Sequence, residues 1–443
     1  MKVAIIGCGA AGLTAASYAR RTNRGARVTI IERGSSPAYS RCGLPLLLAG
    51  EIQDPQSLLF ADQEWYRANG IELLLKTGAV KILPEERKVL LSGEHTGELA
   101  YDSLVLCTGA DPILPNLPGI GLRNVFTLRG LDDALQILEV LKTCRSAVVV
   151  GGGAVGLEAA VALRSRGLEV TVVEMLPQIL PGVLDPEPAL EVQRSLEARG
   201  LKFILNSRLE ALEGKERVEE VVAGGHRLPC DLVLLCLGVR PDLTLAAEAG
   251  LEVDRELQAI KVNSRMETSE PGIYAAGDCA CSPSFTGVHI LNQLGTTAVR
   301  QGKVAGINAA GGRAELPPLV GTFVTKLFDL EVASAGLTEK QAGELGIGCI
   351  SAAAELSCRP KYSPDRLRLR IKLVASQEGR LLGGQIVGPR EAGLRAQILS
   401  LSLALGKDVG WLASAEFCYH PLVGEVNEPL STVAEILARK LRR

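Results

Sequence analysis

Two short glycine runs have the spacing that brings a peptide backbone against phosphate. Gly7-Cys8-Gly9-Ala10-Ala11-Gly12 follows an apolar stretch at 3–6, and Gly151-Gly152-Gly153-Ala154-Val155-Gly156 follows another at 147–150. In such a run the first glycine permits the tight turn and the second lets the backbone approach a pyrophosphate. The third lets the next helix pack on its strand. That helix faces the phosphates with free N–H groups and the positive end of its dipole. Each run is completed by a second strand, at 28–31 and 170–173, that ends on an acid, Glu32 or Glu174. A carboxylate there accepts hydrogen bonds from an adenosine ribose. A lone fingerprint carries little weight, but strand, turn, helix and acid occur here in order, twice. Two dinucleotide sites are expected.

Sulfur is the other reactive element. The eleven cysteines (8, 42, 107, 144, 230, 236, 279, 281, 349, 358 and 418) are odd in number and irregular in spacing. That is no disulfide framework, and it points to a reducing compartment, the cytoplasm. Cys279 and Cys281 lack a second nearby pair and read as structural, so no metal site is expected.

The elements that must position these groups follow from length and punctuation. A chain of 443 residues suits two to four domains, and 48 glycines with 47% hydrophobic residues favour α/β packing. The formal net charge of −2 argues against nucleic acid. Lys2 and the uncharged run at 3–19 imitate a signal peptide, but Gly7, Gly9 and Gly12 would weaken an export helix. No run reaches the ~18–20 apolar residues of a membrane span. Strands are expected at 104–106, running into Cys107-Thr108-Gly109-Ala110-Asp111-Pro112, and at 232–237, running into Gly238-Val239-Arg240-Pro241. A third is expected within 272–278, ending in Gly277-Asp278. Beyond about 318 no glycine fingerprint occurs, and strand-like 367–373 and 382–387 among helical stretches predict a separate α+β domain.

Together these residues resemble the pyridine nucleotide–disulfide oxidoreductase family over essentially the whole chain. The resemblance implies two Rossmann-like dinucleotide-binding domains, as in glutathione reductase, plus a C-terminal α+β domain that makes a homodimer. It places FAD on 1–112 and 244–317, NAD(P)H on 113–243, and dimerisation on 318–443. For FAD it implies Gly7, Gly9, Ala11, Gly12, Glu32 and Arg33 around the first turn, and Val80, Thr108, Gly109 and Arg129 beyond it. Asp278 would hold the ribityl chain, with Ala298 beside it. For the nicotinamide cofactor it implies Gly151, Gly153, Val155, Gly156, Glu174 and Gly238. Glu174 would accept both ribose hydroxyls of NADH and repel a 2′-phosphate, which favours NADH while NADPH stays open.

Cysteine placement selects the branch. Glutathione- and lipoamide-type members carry a C-x4-C pair beside the flavin. Here the corresponding stretch has Cys42 alone, in Ser40-Arg41-Cys42-Gly43-Leu44-Pro45, with Pro37 and Leu47 at the partner spacings. This resembles the single-cysteine members: coenzyme A disulfide reductases, coenzyme A persulfide or polysulfide reductases, NADH oxidases and NADH peroxidases. A thiolate beside the flavin and a helix N-terminus is expected to have a lowered pKa. It can attack a disulfide or persulfide and hold half of it as a mixed disulfide, which electrons from NAD(P)H then break. Peroxidases and many oxidases place a histidine in the first turn, where this chain has Ala10 and Ala11, so sulfur substrates are favoured.

The segment 418–429 matches two family patterns. Tyr419, Pro421, Val426, Glu428 and Pro429 follow the coenzyme A disulfide reductases, and His420, Pro421 and Glu425 the lipoamide type. In both this segment reaches the partner's active site, so Tyr419, with His420 as alternative, would protonate the leaving thiolate. Arg20 and Arg21 match an arginine pair that meets coenzyme A phosphates in relatives. The reading is NADH-dependent reduction of coenzyme A disulfide, persulfide or polysulfide. The alternatives are an NADH oxidase reducing oxygen and a reductase passing electrons to a protein partner. Some members append a rhodanese domain, and none is expected here.

Overall fold

The computed structural model describes residues 1–442. Two parallel five-stranded sheets repeat one design. In the first, the strands run Ile273–Ala275, Ser103–Leu106, Lys2–Ile6, Arg27–Ile31 and Ile71–Leu74 across the sheet. In the second they run Leu201–Ile204, Glu169–Val173, Ser146–Val150, Leu232–Leu235 and Val125–Phe126. Both are Val-, Ile- and Leu-rich and buried, as a parallel sheet covered on two faces requires. Each central strand leads into a glycine turn and a helix, Ala10–Thr22 or Ala154–Ser165, at the carboxyl edge where such sheets bind ligands. The return of Ile273–Ala275 beside Ser103–Leu106 makes the first sheet from two separate stretches of chain.

Two expected strands are shorter than the sequence suggested. The one at 232–237 stops at Leu235, and Val239–Pro241 turns away to pair antiparallel with Ala110–Pro112. Gly238 in between has φ +93°, a left-handed turn that a strand cannot pass through. The strand within 272–278 likewise ends at Ala275, ahead of Gly277 at φ +89°.

The helix Ala10–Thr22 packs directly on Gly295–Ala309. A Cβ at Gly302 or Gly306 would run into the carbonyl oxygens of Ala11 and Ala15, so the two backbones touch. The C-terminal unit is an antiparallel sheet in the order Thr322–Leu327, Leu330–Gly336, Leu381–Gly388, Arg368–Ser376 and Cys349–Ser357. Its helices Ala392–Ala404 and Pro429–Leu441 bury Ala396, Leu399, Leu403, Leu430, Val433 and Leu437 in the same core. The outer side of this unit keeps Leu394, Leu401, Leu405, Leu422, Val423 and Val426 exposed. Among the described residues no helix is long and apolar enough to cross a membrane.

Candidate active site

The two glycine turns are near copies. Gly7 (φ +100°) and Gly151 (φ +114°) leave no room for a Cβ, which would meet the carbonyl oxygens of Cys107 and Cys236. Gly12 and Gly156 press on the carbonyls of Gly7 and Gly151. Over Gly9 and Gly153, in contrast, the space is open to 4 Å. Each of these is the N-cap of its helix, with no side-chain cap and no acid in the first turn. The first N–H groups of both helices are therefore left for an anion, and both turns fit a dinucleotide pyrophosphate.

Glu32 and Glu174 do a second job. Glu32 accepts from Cys8 N (2.7 Å) and Gly34 N (2.7 Å), and Glu174 from Gly152 N (2.6 Å) and Leu176 N (2.8 Å). Each acid thus ties the tip of its turn to the end of the second strand. The sequence had suggested ribose recognition alone. Val155, in the first turn of the second helix, is exposed.

Several of the residues expected to hold FAD make contacts of their own, in separate pairs and groups. Ala11, Gly277 and Ala298 meet where the helices cross. Asp278 accepts from Arg129 Nη2 at 3.2 Å, each side chain 21% exposed. Thr108 Oγ1 donates to the Asp242 carbonyl at 3.0 Å, joining the connections at Gly109 and Gly238. Arg33 pairs with Asp111 at 2.8 Å. Val80 is skipped by the ladder between Thr77–Leu83 and Lys88–Gly93, which pairs Ala79 with Leu91 and Lys81 with Leu90. This bulge leaves the Val80 backbone outside the ladder.

Cys42 lies in a single 3₁₀ turn, Arg41–Gly43, ahead of the helix Leu44–Ala49. None of the eleven cysteines is in a disulfide, and only Cys42 and Cys418 are exposed. Pro45 opens the helix, whose buried Leu44, Leu47 and Leu48 pack toward Ala154–Ser165. Arg166 Nε donates to the Leu48 carbonyl at 2.8 Å. A lowered thiol pKa was expected here, and the protein's own groups do the opposite. Burial, then Glu158 and Asp278, push the Cys42 thiol up. The helix behind it has only six residues, too few for a strong macrodipole, while two carboxylates bear on the sulfur.

Tyr419 and His420 sit in the irregular stretch between Val409–Ser414 and Pro429–Leu441. The Tyr419 hydroxyl meets that of Tyr362 at 3.0 Å, and this hydrogen bond first of all raises the Tyr419 pKa. His420 is exposed and its ring folds back on its own loop, with Nδ1 accepting from Leu422 N at 3.3 Å. Among the described residues no hydrogen bond or ion pair joins His420 to Glu425, whose carboxylate accepts from Val426 N. Arg20 is held in place by three carbonyls: Nε donates to Asn69 (3.1 Å), and Nη1 to Arg24 (2.7 Å) and Ala26 (2.6 Å). Arg21 is exposed, its guanidinium 5.1 Å from the centre of the Tyr18 ring, and Lys303 lies 5.2 Å from the same ring.

Two residues escaped the sequence reading. Glu158 follows the third glycine of the second turn and accepts from Thr325 Oγ1 at 2.5 Å. Burial holds its carboxyl above the ordinary range, and Thr325 opposes this. Tyr362, 74% exposed, stands in Arg359-Pro360-Lys361-Tyr362-Ser363-Pro364, and a tyrosine between two prolines was the one signal the sequence offered.

Residues 1–302 match the family profile described as pyridine nucleotide-disulphide oxidoreductase, and 322–429 match the dimerisation domain of the same family. An NADH oxidase of Methanocaldococcus jannaschii is 39% identical over 100% of this chain and 99% of its own length. The NAD(P)H coenzyme A polysulfide/persulfide reductase of Pyrococcus horikoshii is 33% identical over 98% of each chain. The structure of a NAD-dependent persulfide reductase from A. fulgidus superposes with a TM-score of 0.97 at 34% identity, covering 99% of this chain and 83% of that one. With the two matches covering most of the chain, it is an FAD-dependent NAD(P)H oxidoreductase and belongs to the pyridine nucleotide-disulphide oxidoreductase family.

Proposed function

We propose that the protein reduces a small disulfide, persulfide or polysulfide at the expense of NADH, coenzyme A disulfide or persulfide first among them, as a cytoplasmic homodimer. FAD is assigned to 1–112 and 244–317, NADH to 113–243 and the dimer contact to 318–443. The single observation that carries this reading is an exposed thiol, Cys42, with no partner cysteine, at the seam between the two nucleotide-binding units. The bound flavin supplies the relay that brings the electron pair of NADH to this sulfur.

The chain's own residues perform the rest. The Cys42 thiolate attacks one sulfur of the substrate, forms a mixed disulfide and displaces the other half as a thiolate. Tyr419, its proton held by the contact with Tyr362, supplies that thiolate with a proton. The His420 ring is engaged by its own loop through Nδ1 and Leu422 N, which supports Tyr419 as the donor. For coenzyme A, the cavity of about 340 Å³ lined by Arg20, Arg21, Arg24 and Trp65 offers cations for phosphate, with Tyr18 flanked by Arg21 and Lys303. Arg20 is committed to backbone carbonyls, so Arg21 is the better candidate.

The second reading, an NADH oxidase, is favoured by the name of the Methanocaldococcus jannaschii relative. Ala10 and Ala11 in the first turn speak for sulfur, because no histidine stands there to assist cleavage of an O–O bond. Anaerobic NADH oxidation, with coenzyme A disulfide, coenzyme A persulfide, polysulfide and oxidised lipoamide in parallel, separates the two. Fast turnover with a coenzyme A sulfur species and slow oxygen uptake is expected. Brisk oxygen reduction with no sulfur-dependent rate would overturn the proposal.

A further inference from the structure

The two tyrosine hydroxyls meet although neither ring is well packed. Tyr362 is 74% exposed and Tyr419 45%, so their contact must be set by the segments that carry them. Tyr362 stands in the loop between Cys349–Ser357 and Arg368–Ser376, and Tyr419 in the irregular stretch that ends at Glu428. Beneath both runs a line of alternating charges. Arg359, 5% exposed, forks onto Glu391 through Nη2 and Nη1. Glu391 also accepts from Arg395 Nη1 at 2.9 Å. Arg395, 8% exposed, forks in turn onto Glu428, with Nε to Oε1 at 2.7 Å and Nη2 to Oε2 at 3.1 Å. Glu428 caps the final helix through Leu430 N. Asp365, on the far side of Tyr362, pairs with Arg359 at 3.5 Å and with Arg390.

One member of the line is strained. Glu391 has φ +67°, a left-handed conformation that a non-glycine residue holds only when its surroundings require it. What it obtains there is simultaneous contact with Arg359 and Arg395. We propose that Arg359–Glu391–Arg395–Glu428 is a buried strut whose task is to hold the Tyr362 loop against the Tyr419 segment, which makes Glu391 and Arg395 positioning residues for the sulfur half-reaction. The catalytic part of this rests on the reading of Tyr419 as proton donor, whereas the geometric part does not.

Two measurements on the FAD-loaded protein test it. The first is ionisation of Tyr419, read as the alkaline ultraviolet titration of each protein minus that of its Tyr419→Phe counterpart. Tyr362 and Glu425 are the titratable groups that bear on this hydroxyl. In the wild type it should ionise above the ordinary tyrosine range, and in Arg395→Met it should return toward that range because the Tyr362 contact is lost. Arg395→Lys keeps the charge but not the fork, so it should show the same shift in smaller degree and serves if the methionine variant folds poorly. The second is the sulfur half-reaction. Arg395→Met should slow it roughly 10–10²-fold, the scale of a small misplacement, with flavin reduction by NADH unchanged. In a Tyr362→Phe background the same substitution should cost nothing further. An unshifted titration, or losses that simply add, would overturn the strut. Normal sulfur reduction by both Tyr362→Phe and Tyr419→Phe would instead overturn the tyrosine reading, leaving the titration to judge the strut by itself.

Discussion

At the scale of single residues, the reactive thiol is governed by neighbours that are remote in sequence. Burial raises the Cys42 pKa, and Glu158 and Asp278 raise it further because a carboxylate opposes a thiolate. Glu158→Gln removes one of those charges, so the thiol should ionise at lower pH. The pH profile of Cys42 alkylation should move toward acid, and an unmoved profile would leave burial and Asp278 as the causes. Glu174 is also more than a ribose ligand, since it fixes Gly152 and Leu176 by their N–H groups. Glu174→Ala should cost NADH binding about 1.5–3 kcal/mol, the range for hydrogen bonds to a charged group. NADPH should gain relative to NADH, but with the turn loosened it should not reach the affinity NADH has in the wild type. Competitive titration of the two nucleotides measures this, and a wild type that already prefers NADPH would contradict it.

At the scale of elements, a buried cation joins the second nucleotide unit to the C-terminal sheet. Lys372, on the strand Arg368–Ser376 and 4% exposed, reaches Asp185 at 3.2 Å, Glu187 at 2.9 Å and Glu339 at 2.5 Å. Gln385 completes the shell by donating to Asp185 at 2.6 Å. Burial works against the ammonium, but the three carboxylates outweigh it and its pKa is raised. The stabilisation is therefore complete below the ordinary lysine value of 10.5 and is lost as pH rises through the higher folded value. Lys372→Met strands Asp185 without its cation and should destabilise the protein by about 3–5 kcal/mol. Thermal unfolding followed against pH should show a shallower alkaline loss in the variant than in the wild type, because buried thiols and tyrosines with raised pKa values remain in both. Nothing in the sequence marks Lys372, because its partners come from two stretches remote from it, 185–187 and Glu339. The nucleotide turns were legible for the contrary reason: the left-handed φ of Gly7 and Gly151 and the acids Glu32 and Glu174 are local requirements. Arg395 and Glu391 hide in plain view as an ordinary i,i+4 helix pair, and Glu158 passes for any polar residue of a helix. Tyr362 is missed because its partner, Tyr419, lies a strand pair and two helices away.

At the scale of the whole molecule, the working site is expected to belong to two chains. Cys42 stands in the first nucleotide-binding unit, Tyr419 in the C-terminal unit, and among the described residues no hydrogen bond joins their segments within one chain. The C-terminal unit matches the family's dimerisation domain and exposes Leu394, Leu401, Leu405, Leu422, Val423 and Val426 around the Tyr419 segment and on the adjoining helix. We propose that this surface is buried against a second copy and that Tyr419 of the partner subunit then reaches Cys42. Cys42→Ser should then still bind FAD and let NADH reduce it, because both glycine turns lie elsewhere, while sulfur turnover collapses for want of a mixed disulfide. Tyr419→Phe should slow the sulfur half-reaction by about 10²–10⁴-fold, the usual worth of a general acid. If His420 were the donor, His420→Ala would show the larger loss. Two inactive homodimers, one of each of the first two variants, can be mixed and allowed to exchange subunits. Each hybrid carries one site with both Cys42 and the partner subunit's Tyr419 intact, so activity should return in proportion to the hybrids formed. Confirmed exchange with no recovery would place both groups in one chain or remove Tyr419 from the chemistry.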